Sequence, residues 1–301
     1  MFWGGKHMRT STRSGSQSLL RALKALPGEL REGVPLASLT TFRIGGPAWA
    51  VFTPSRWEAL VEGVRLAQSW GTPWRVVGGG SKLLFSDQGF PGLVILTRNL
   101  RGCRREDGLV VAEAGLRLRN LVELGFCQLA GIPGTVGGAV VMNSGTRYGQ
   151  IGDRVEWVEL LTPEGELVRW GRGECEFSYR NSRIREQRWA VVRVGLRPAN
   201  SGPPPALILA ERRAGQPVGL PSAGCVFRNP PDAPAGWLID RAGLKGAREG
   251  GAMVSPKHAN FIVNLGHARA SEVLRLVDRV QRQVFKAFRV WLKLELEVVR
   301  G

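Results

Sequence analysis

The sequence predicts an α+β protein with more than one domain. At 301 residues the chain is long enough for two or three domains with ordinary hydrophobic cores. Segments with the two-residue alternation of strands and segments with the 3.6-residue period of helices both occur along its whole length. Proline, glycine and serine concentrate in residues 199–206, ANSGPPPA, a composition typical of linkers. We therefore expect a domain boundary there.

The composition is that of a globular protein, with 43% hydrophobic and 22% charged residues. No apolar run approaches the roughly 20 residues that span a bilayer. The first 18 residues lack the apolar core of a signal peptide. These features predict a cytoplasmic location and no membrane partner.

The formal net charge of +17 raises nucleic-acid binding as an alternative function. However, the basic residues are spread along the chain without a block of five or six, which also suits an enzyme whose substrates carry phosphates. Four cysteines without a CxxC pair and only three histidines do not indicate a metal site. We expect neither a metal nor a nucleic-acid partner.

The N-terminal part is predicted to begin with a weakly ordered basic extension, residues 1–33, containing one short helix near Ser18 to Leu26. A strand-like segment, AWAVF, follows Gly45 and Gly46. Apolar residues then recur at helical spacing from Trp57 and predict a helix that stops at Gly71.

The first glycine-rich stretch follows a predicted buried strand, WRVV. Gly78, Gly79 and Gly80 expose successive backbone N–H groups and are followed by Ser81 and Lys82. A strand that enters such a turn can cradle a phosphate, although the same residues also form ordinary turns. The stretch is neither GxGxxG nor a P-loop, because no GK[ST] closes it.

The second glycine-rich stretch, residues 131–149, carries six glycines among apolar residues. Each glycine would cost a helix or strand interior roughly 0.5 to 1 kcal/mol relative to Ala, so we expect no regular structure here. Backbone that must approach a ligand closely is one explanation for these glycines, and a buried structural loop is the other.

The remaining elements are assigned from their periodicity. Strands are expected at 93–97 and 109–113, a helix near 118–127, and a hairpin around Pro163–Gly165. Near the C-terminus an amphipathic helix keeps one apolar face, and the alternating segment 292–298 predicts a strand with one apolar and one acidic face.

Seven segments, in order along residues 34–300, carry a family resemblance. They are TTFRIGGPA, VVGGGSKLL, AGIPGTVGGAVVMNSG, FSYRNS, PSAGCVFRNP, GWLIDRAGLKG and VSPKHANFIVN. With these segments the chain resembles the UDP-N-acetylenolpyruvoylglucosamine reductase family, whose members are also called UDP-N-acetylmuramate dehydrogenases. It is similar to the shorter type, which lacks a tyrosine-bearing insertion.

The resemblance implies a two-subdomain FAD-binding module of the vanillyl-alcohol-oxidase type, at 34–100 and 101–200. A C-terminal α/β substrate-binding domain, 201–301, is implied to return its last strand to the active site. The implied reaction passes hydride from NADPH to FAD and then to the UDP-sugar substrate, which forms UDP-N-acetylmuramate for peptidoglycan. The implied partners are this substrate and NADPH, and we expect a monomer.

The resemblance also implies the residues that bind FAD, largely through backbone N–H groups. They are Arg43, Gly78, Gly79, Gly80, Ser81, Lys82, Gly131, Ile132, Pro133, Gly134, Thr135, Gly137, Gly138 and Asn143. Lys82 departs from the family, which usually has asparagine there; its side chain is expected to pair with a phosphate or to face solvent.

The implied catalytic residues are Arg180, Cys225 and a glutamate of the C-terminal strand. Arg180 and the glutamate would stabilise negative charge on the enol carboxylate of the substrate. Cys225 replaces the serine of most relatives and would donate the proton. Glu295 is our choice for the glutamate, with Glu297 as the alternative.

Tyr179 and Asn229 are the implied substrate contacts. Two alternative functions stay open: another flavin oxidoreductase of the same fold, and a basic polyanion-binding protein with a degenerate flavin site.

Overall fold

The computed structural model of this chain describes residues 13–199 and 202–300. The helices are α1 Arg13–Lys24, α2 Trp57–Ser69, α3 Leu118–Val122, α4 Val136–Met142, α5 Arg183–Gln187, α6 Pro205–Gly215, α7 Ala235–Arg241 and α8 Ala270–Phe288. The strands are β1 Gly28–Glu32, β2 Ala48–Pro54, β3 Trp74–Val77, β4 Leu83–Phe85, β5 Phe90–Leu96, β6 Cys103–Glu106, β7 Leu109–Glu113, β8 Gly145–Thr146, β9 Gly149–Gln150, β10 Val155–Leu161, β11 Leu167–Gly171, β12 Ala190–Leu196, β13 Ser222–Cys225, β14 Arg248–Glu249, β15 Ala252–Val254, β16 Phe261–Asn264 and β17 Glu297–Val299.

The first sheet has the strand order β1-β2-β5-β3, with β1 antiparallel and the others parallel. Helix α2 packs on it through Leu60 and Val64, and α1 adds Leu19 and Leu23 to the same buried cluster. The expectation of a weakly ordered extension is therefore wrong for residues 13–33, because α1 and β1 complete this sheet and its core. The part of the extension before residue 13 lies outside the described residues.

The second sheet is antiparallel, with the order β11-β10-β12-β7-β6. The predicted hairpin is confirmed as β10 and β11, whose turn is closed by the N–H of Gly165 donating to the carbonyl of Thr162 at 3.0 Å. Helix α3 is shorter than expected, because it ends at Val122 and a separate turn covers Cys127–Leu129.

Helix α4 lies inside the second glycine-rich stretch, so the expectation that this stretch has no regular structure is wrong. Gly137 lies in the first turn of α4, where an added Cβ would come within 2.8 Å of the Cβ of Ala114. The helix therefore tolerates glycine because it must pack closely against the chain that follows β7.

The third sheet has the order β13-β16-β15-β14 and packs against α7 and α8. The predicted amphipathic helix is confirmed as α8, whose apolar residues Val273, Val277, Val280 and Val284 are all buried. The cluster under this sheet also includes Leu292 and Leu296, so the C-terminal segment belongs to the same core.

The C-terminal segment is extended, but only β17 is a strand. Glu297, Val298 and Val299 pair in parallel with Leu83, Leu84 and Phe85 of β4. The prediction of a continuous strand from 292 to 298 is wrong, because the N–H groups of Glu295 and Leu296 both donate to the carbonyl of Val226. That double donation breaks the ladder, and no acidic face results.

No helix within residues 13–199 and 202–300 is both long and apolar enough to cross a membrane.

Candidate functional site

The two predicted glycine-rich stretches lie face to face. The first is the turn Gly78–Lys82 between β3 and β4, and the part of the second that faces it is Gly131–Thr135, just before α4. An added Cβ on Gly79 would lie 2.7 Å from the Cα of Gly134, so glycine is required for this close approach. The hydroxyl of Ser81 donates to the carbonyl of Pro133 at 3.2 Å.

A cavity of about 930 Å³ lies against both stretches and is lined on another side by α4. Its volume is within the range of small-molecule and cofactor sites. Ten of the predicted cofactor-binding residues line it: Gly78, Gly79, Gly80, Ser81, Lys82, Pro133, Gly134, Thr135, Gly137 and Gly138. The structure therefore brings most of that predicted set together around one space.

Four of the predicted cofactor-binding residues do not line this cavity. Ile132 lines a smaller neighbouring cavity of about 370 Å³, whereas Arg43 and Gly131 line neither. Asn143 is buried, and its side chain bonds Gln150 and the carbonyl of Ser178 and accepts the N–H of Gly152. The amide of Asn143 therefore connects neighbouring loops of the protein and does not face the cavity.

Arginine side chains that the sequence did not single out also line the cavity: Arg75, Arg185, Arg188 and Arg228. Burial, with the nearby charges of Arg188 and Arg185, lowers the pKa of Arg75 to about 10. Arg75 pairs with Glu297, which also lines the cavity. Guanidinium groups beside bare glycine backbone suit a ligand that carries phosphates. The sequence offered no signal for them, because single arginines occur throughout this basic chain.

The hydroxyl of Thr135 is the most informative atom of the cavity wall. It is buried and has no hydrogen-bond partner among the described residues. Thr135 is the residue before α4, yet its side chain does not cap the helix. A buried hydroxyl without a partner costs about 1 to 3 kcal/mol, so a polar atom of a ligand in the cavity would compensate that cost.

A cluster of charged groups lies beside the cavity around Glu295. The side chain of Glu295 is only 4% exposed, and its Oε1 lies 2.7 Å from Lys82 Nζ and 3.7 Å from Arg180 Nε. A buried carboxylate needs such compensation. The same ammonium donates to the carbonyl of Cys225 at 2.8 Å. Lys82 thus lines the cavity while its charge is directed at the predicted catalytic residues.

Arg180 has a backbone conformation that is rare for residues with a side chain, with a φ of 55°. Its guanidinium donates to the carbonyl of Gly145 at 2.8 Å, and Ser178 and Asn181 close the turn around it by two mutual backbone hydrogen bonds. Backbone strain of this kind costs about 1 to 3 kcal/mol. The same conformation occurs at helix C-termini of this chain, at Arg188 and Arg289, so here it fixes the position of Arg180 and does not by itself indicate a function.

Cys225 ends β13 and is half-buried. Burial raises the pKa of its thiol, Glu295 raises it further, and the cations Lys82, Arg180 and Arg212 oppose the rise. The thiol is therefore protonated at neutral pH, as a proton donor must be. Arg212, from α6, is a further cation near this thiol that sequence reasoning missed.

Tyr179 and Asn229 lie next to each other at the edge of the charged cluster. The Tyr179 side chain is within hydrogen-bonding reach of the Asn229 backbone, and burial raises its pKa although Arg180 opposes the rise. The Oδ1 of Asn229 accepts the N–H of Ala235 at 3.0 Å, at the start of α7. The side-chain oxygen of Asn229 thus already accepts a hydrogen bond from the first turn of α7.

Comparisons with known proteins agree with this geometry. Residues 48–171 match the family described as FAD binding domain, and residues 216–299 match the family described as UDP-N-acetylenolpyruvoylglucosamine reductase, C-terminal domain. The chain is 41% identical to a UDP-N-acetylenolpyruvoylglucosamine reductase of Synechococcus sp., over 91% of this chain and 92% of the relative. It is 39% identical to that of Caldicellulosiruptor saccharolyticus, over 93% of this chain and 94% of the relative.

The solved structures agree as well. The crystal structure of the corresponding reductase from Thermus caldophilus superposes with a TM-score of 0.74 at 40% identity, over 91% of this chain and 99% of that one. Sequence identity and structural similarity thus both extend over nearly the full length of this chain and of its relatives. The chain belongs to the UDP-N-acetylenolpyruvoylglucosamine reductase family.

Proposed function

We propose that this protein reduces UDP-N-acetylenolpyruvoylglucosamine to UDP-N-acetylmuramate with NADPH, as a step of peptidoglycan precursor synthesis. The observation that carries the proposal is the meeting of Arg180, Glu295 and the protonated Cys225 beside a glycine-lined cavity. Family membership supplies the reaction, and the charged cluster contains the residue types that the reaction requires.

The cavity fits FAD in three respects. The turn Gly78–Lys82 and Gly138 offer backbone with no side chain in the way, Arg185 and Arg228 add positive charge for a pyrophosphate, and the Thr135 hydroxyl needs a polar partner. When bound there, FAD accepts a hydride from NADPH and supplies one to the substrate.

The chain's own groups act on the substrate after the hydride reaches the terminal carbon of its enolpyruvyl double bond. The electron pair of that bond moves toward the adjacent carbon and its carboxylate. A planar, permanently charged guanidinium at Arg180 binds that carboxylate and stabilises the added charge. The prediction that the glutamate stabilises this charge directly does not suit a carboxylate paired with two cations, so we propose instead that Glu295 fixes the positions of Lys82 and Arg180.

Cys225 completes the reduction as the proton donor. Its Sγ–H bond breaks as the proton passes to the carbon that carries the developing charge, and the thiolate formed is reprotonated from solvent. Because burial raises the pKa of the thiol, the donor form is the resting form at neutral pH. Tyr179 and Asn229 are proposed to contact the substrate at the edge of the same cluster.

We further propose FAD-binding subdomains at 34–100 and 101–200 and a substrate domain at 201–301. One sheet centred in each of these segments supports the division, and α1 and β1, from the predicted extension at 1–33, add to the sheet and core of the first subdomain. A cytoplasmic monomer without nucleic-acid or membrane partners accords with the distributed positive charge and with a pathway that uses soluble nucleotide sugars.

The first experiment is a visible spectrum of the purified protein, taken before and after anaerobic NADPH and again after UDP-N-acetylenolpyruvoylglucosamine. We expect a flavin band that bleaches with NADPH and returns with the nucleotide sugar. A protein that stays colourless with added FAD would contradict the cofactor assignment. A flavin that NADPH bleaches but the nucleotide sugar does not restore would contradict the substrate assignment.

A further inference from the structure

Lys82 joins three parts of the chain at one atom. Its Nζ donates to the carboxylate of Glu295 at 2.7 Å and to the carbonyl of Cys225 at 2.8 Å. An added Cβ on Gly224 would lie 3.3 Å from this ammonium, so the backbone just before Cys225 packs against it. The backbone also connects Lys82 to the C-terminal segment, because the N–H of Glu297 donates to the carbonyl of Lys82 at 2.9 Å.

The carboxylate of Glu295 has two cations that compete for one oxygen. Lys82 and Arg180 both approach Oε1, Lys82 at 2.7 Å and Arg180 at 3.7 Å. Both cationic side chains are mostly buried, at 25% and 22% exposed, so water screens these pairs weakly. The shorter contact shows that the carboxylate is held mainly by the ammonium.

This competition matters because Arg180 cannot serve two carboxylates equally well. A guanidinium that is already paired bidentately with Glu295 would bind a second carboxylate less tightly. Because the Lys82 ammonium binds Oε1 of Glu295, the Arg180 guanidinium keeps N–H donors that Glu295 does not use. Two of those donors are used by backbone carbonyls of Asn143 and Gly145, which orient the group without neutralising its charge.

We infer that Lys82 is a positioning residue that binds Glu295 and thereby keeps Arg180 available for the carboxylate of the substrate. The inference rests on the proposed function for the identity of that carboxylate. It assigns to Lys82 a role different from the phosphate contact or solvent exposure that the sequence suggested. It also explains why a lysine at the cavity wall turns its charge toward the catalytic groups.

Substrate binding without turnover tests the inference. The oxidised, FAD-loaded protein is titrated calorimetrically with UDP-N-acetylenolpyruvoylglucosamine in the absence of NADPH. Lys82→Met removes the charge and keeps the length, so Glu295 should turn to Arg180 and the Kd should rise about 10-fold or more. Lys82→Arg keeps the charge, and Lys293→Met removes an exposed charge of the C-terminal segment; both should stay within about 3-fold of wild type.

A double-mutant cycle separates this role from a merely structural one. In the Glu295→Gln background there is no carboxylate to compete for Arg180, so Lys82→Met should no longer weaken substrate binding. An equal loss in both backgrounds, or a Lys82→Arg protein that binds as poorly as Lys82→Met, would overturn the inference.

A second readout does not depend on the substrate. The titratable and charged groups that face Cys225 are Lys82, Tyr179, Arg180, Arg212 and Glu295. The pH dependence of iodoacetamide labelling, followed on the tryptic peptide Ala214–Arg228, reports the pKa of this thiol in the FAD-loaded protein. Lys82→Met should raise the midpoint by about half a pH unit or more, and Glu295→Gln should lower it. Lys293→Met should leave it unchanged.

The two readouts distinguish a failure of the inference from a failure of the proposed function. A wild-type protein that does not bind the nucleotide sugar would contradict the function, while the labelling midpoints would still decide the position of Lys82 relative to Cys225 and Glu295. A wild-type protein that binds, with Lys82→Met unchanged in both Kd and midpoint, would overturn the inference and leave the function standing.

Discussion

Asp87, in the loop after β4, caps the helix that begins at Ala270. Its Oδ1 accepts the N–H of Ala270 at 2.6 Å, and its Oδ2 accepts the N–H of Ser271 at 3.0 Å. A side chain close to the first sheet thus satisfies the free N–H groups of α8, and its negative charge lies at the positive end of that helix.

We expect Asp87→Ala to lower the free energy of unfolding by about 1 kcal/mol at neutral pH, the usual value of a helix cap. Partial burial raises the pKa of Asp87, but the hydrogen bonds from Ser271 and Ala270 outweigh it and hold the pKa below its ordinary value. A depressed pKa stabilises the folded state above the ordinary pKa of aspartate, and this contribution is lost as the pH falls through the folded-state value. Urea unfolding at several pH values measures it.

Asp278→Ala is the matched control, because Asp278 is an exposed residue in the middle of α8. It should cost only a few tenths of a kcal/mol. A loss in Asp87→Ala that persists undiminished in acid would show that the cap is not ionic.

Val299 anchors the C-terminal segment that carries Glu295. It is 7% exposed and belongs to the buried cluster beneath the first sheet. Val299→Asp places an unpaired charge there, so we expect the free energy of unfolding to fall by about 3 to 5 kcal/mol and turnover to fall with it. Thermal unfolding and steady-state assays measure the two effects. Arg300→Asp alters charge at an exposed neighbour and should change neither; equal effects at both positions would exclude the anchoring role.

The unpartnered hydroxyl of Thr135 predicts changes of opposite sign in two measurements. Thr135→Val removes a buried hydroxyl without a partner, so the FAD-free protein should be as stable as wild type or more stable. FAD should bind about 2- to 10-fold more weakly, because the valine offers no hydrogen bond. Urea unfolding and titration of the FAD-free protein with FAD measure the two quantities.

Thr53→Val provides the control for this pair of measurements. The Thr53 hydroxyl in β2 is also buried without a partner among the described residues, but Thr53 does not line the cavity. The Thr53→Val protein should be more stable than wild type and should bind FAD with unchanged affinity. If the two variants behave alike, the Thr135 hydroxyl does not contact the cofactor.

Replacement of Cys225 by serine should change the pH dependence of the second half-reaction. In the wild-type protein the rate of flavin reoxidation by the nucleotide sugar should fall in alkaline solution, as the pH rises through the raised pKa of the thiol and the donor loses its proton. Cys225→Ser should react more slowly at neutral pH, because an alcohol is a weaker acid, yet lose this alkaline fall. Stopped-flow absorbance over a pH series measures both.

Cys127→Ser makes the same substitution at a half-buried cysteine outside the charged cluster and should keep the alkaline fall. An unchanged alkaline fall in Cys225→Ser would assign the titrating donor to another group.

Several features of the fold could be predicted because their signals are local. The β10–β11 hairpin follows from alternating residues around Pro163–Gly165, and α8 follows from its apolar face. The glycine turn after β3 was also visible in the sequence. Ten of the predicted cofactor-binding residues line one cavity, six of them glycines. At Gly79 and Gly80 a side chain would clash with neighbouring backbone, which explains why these positions carried a signal in the sequence.

Where local reasoning was wrong, a distant segment had decided the structure. The glycine penalty argued against a helix at 136–142, but Ala114 packs so closely there that α4 needs Gly137. The alternation near the C-terminus argued for a long strand, but Val226 takes two N–H donors and ends the ladder before Glu297. Residues 13–33 looked like an extension because the sheet that they complete lies beyond residue 47.

The amino-acid sequence by itself determined the α+β class, the family and the two glycine-rich stretches, because these depend on residue types and on spacing along the chain. It also predicted Arg180, Cys225 and a C-terminal glutamate as the catalytic residues. The tertiary structure alone decided that Glu295 rather than Glu297 lies between Arg180 and Lys82, and that the Lys82 ammonium contacts Glu295 and the Cys225 carbonyl. The direction of a long side chain is set by charges and carbonyls from remote segments, and only the folded chain brings those groups within a few ångströms.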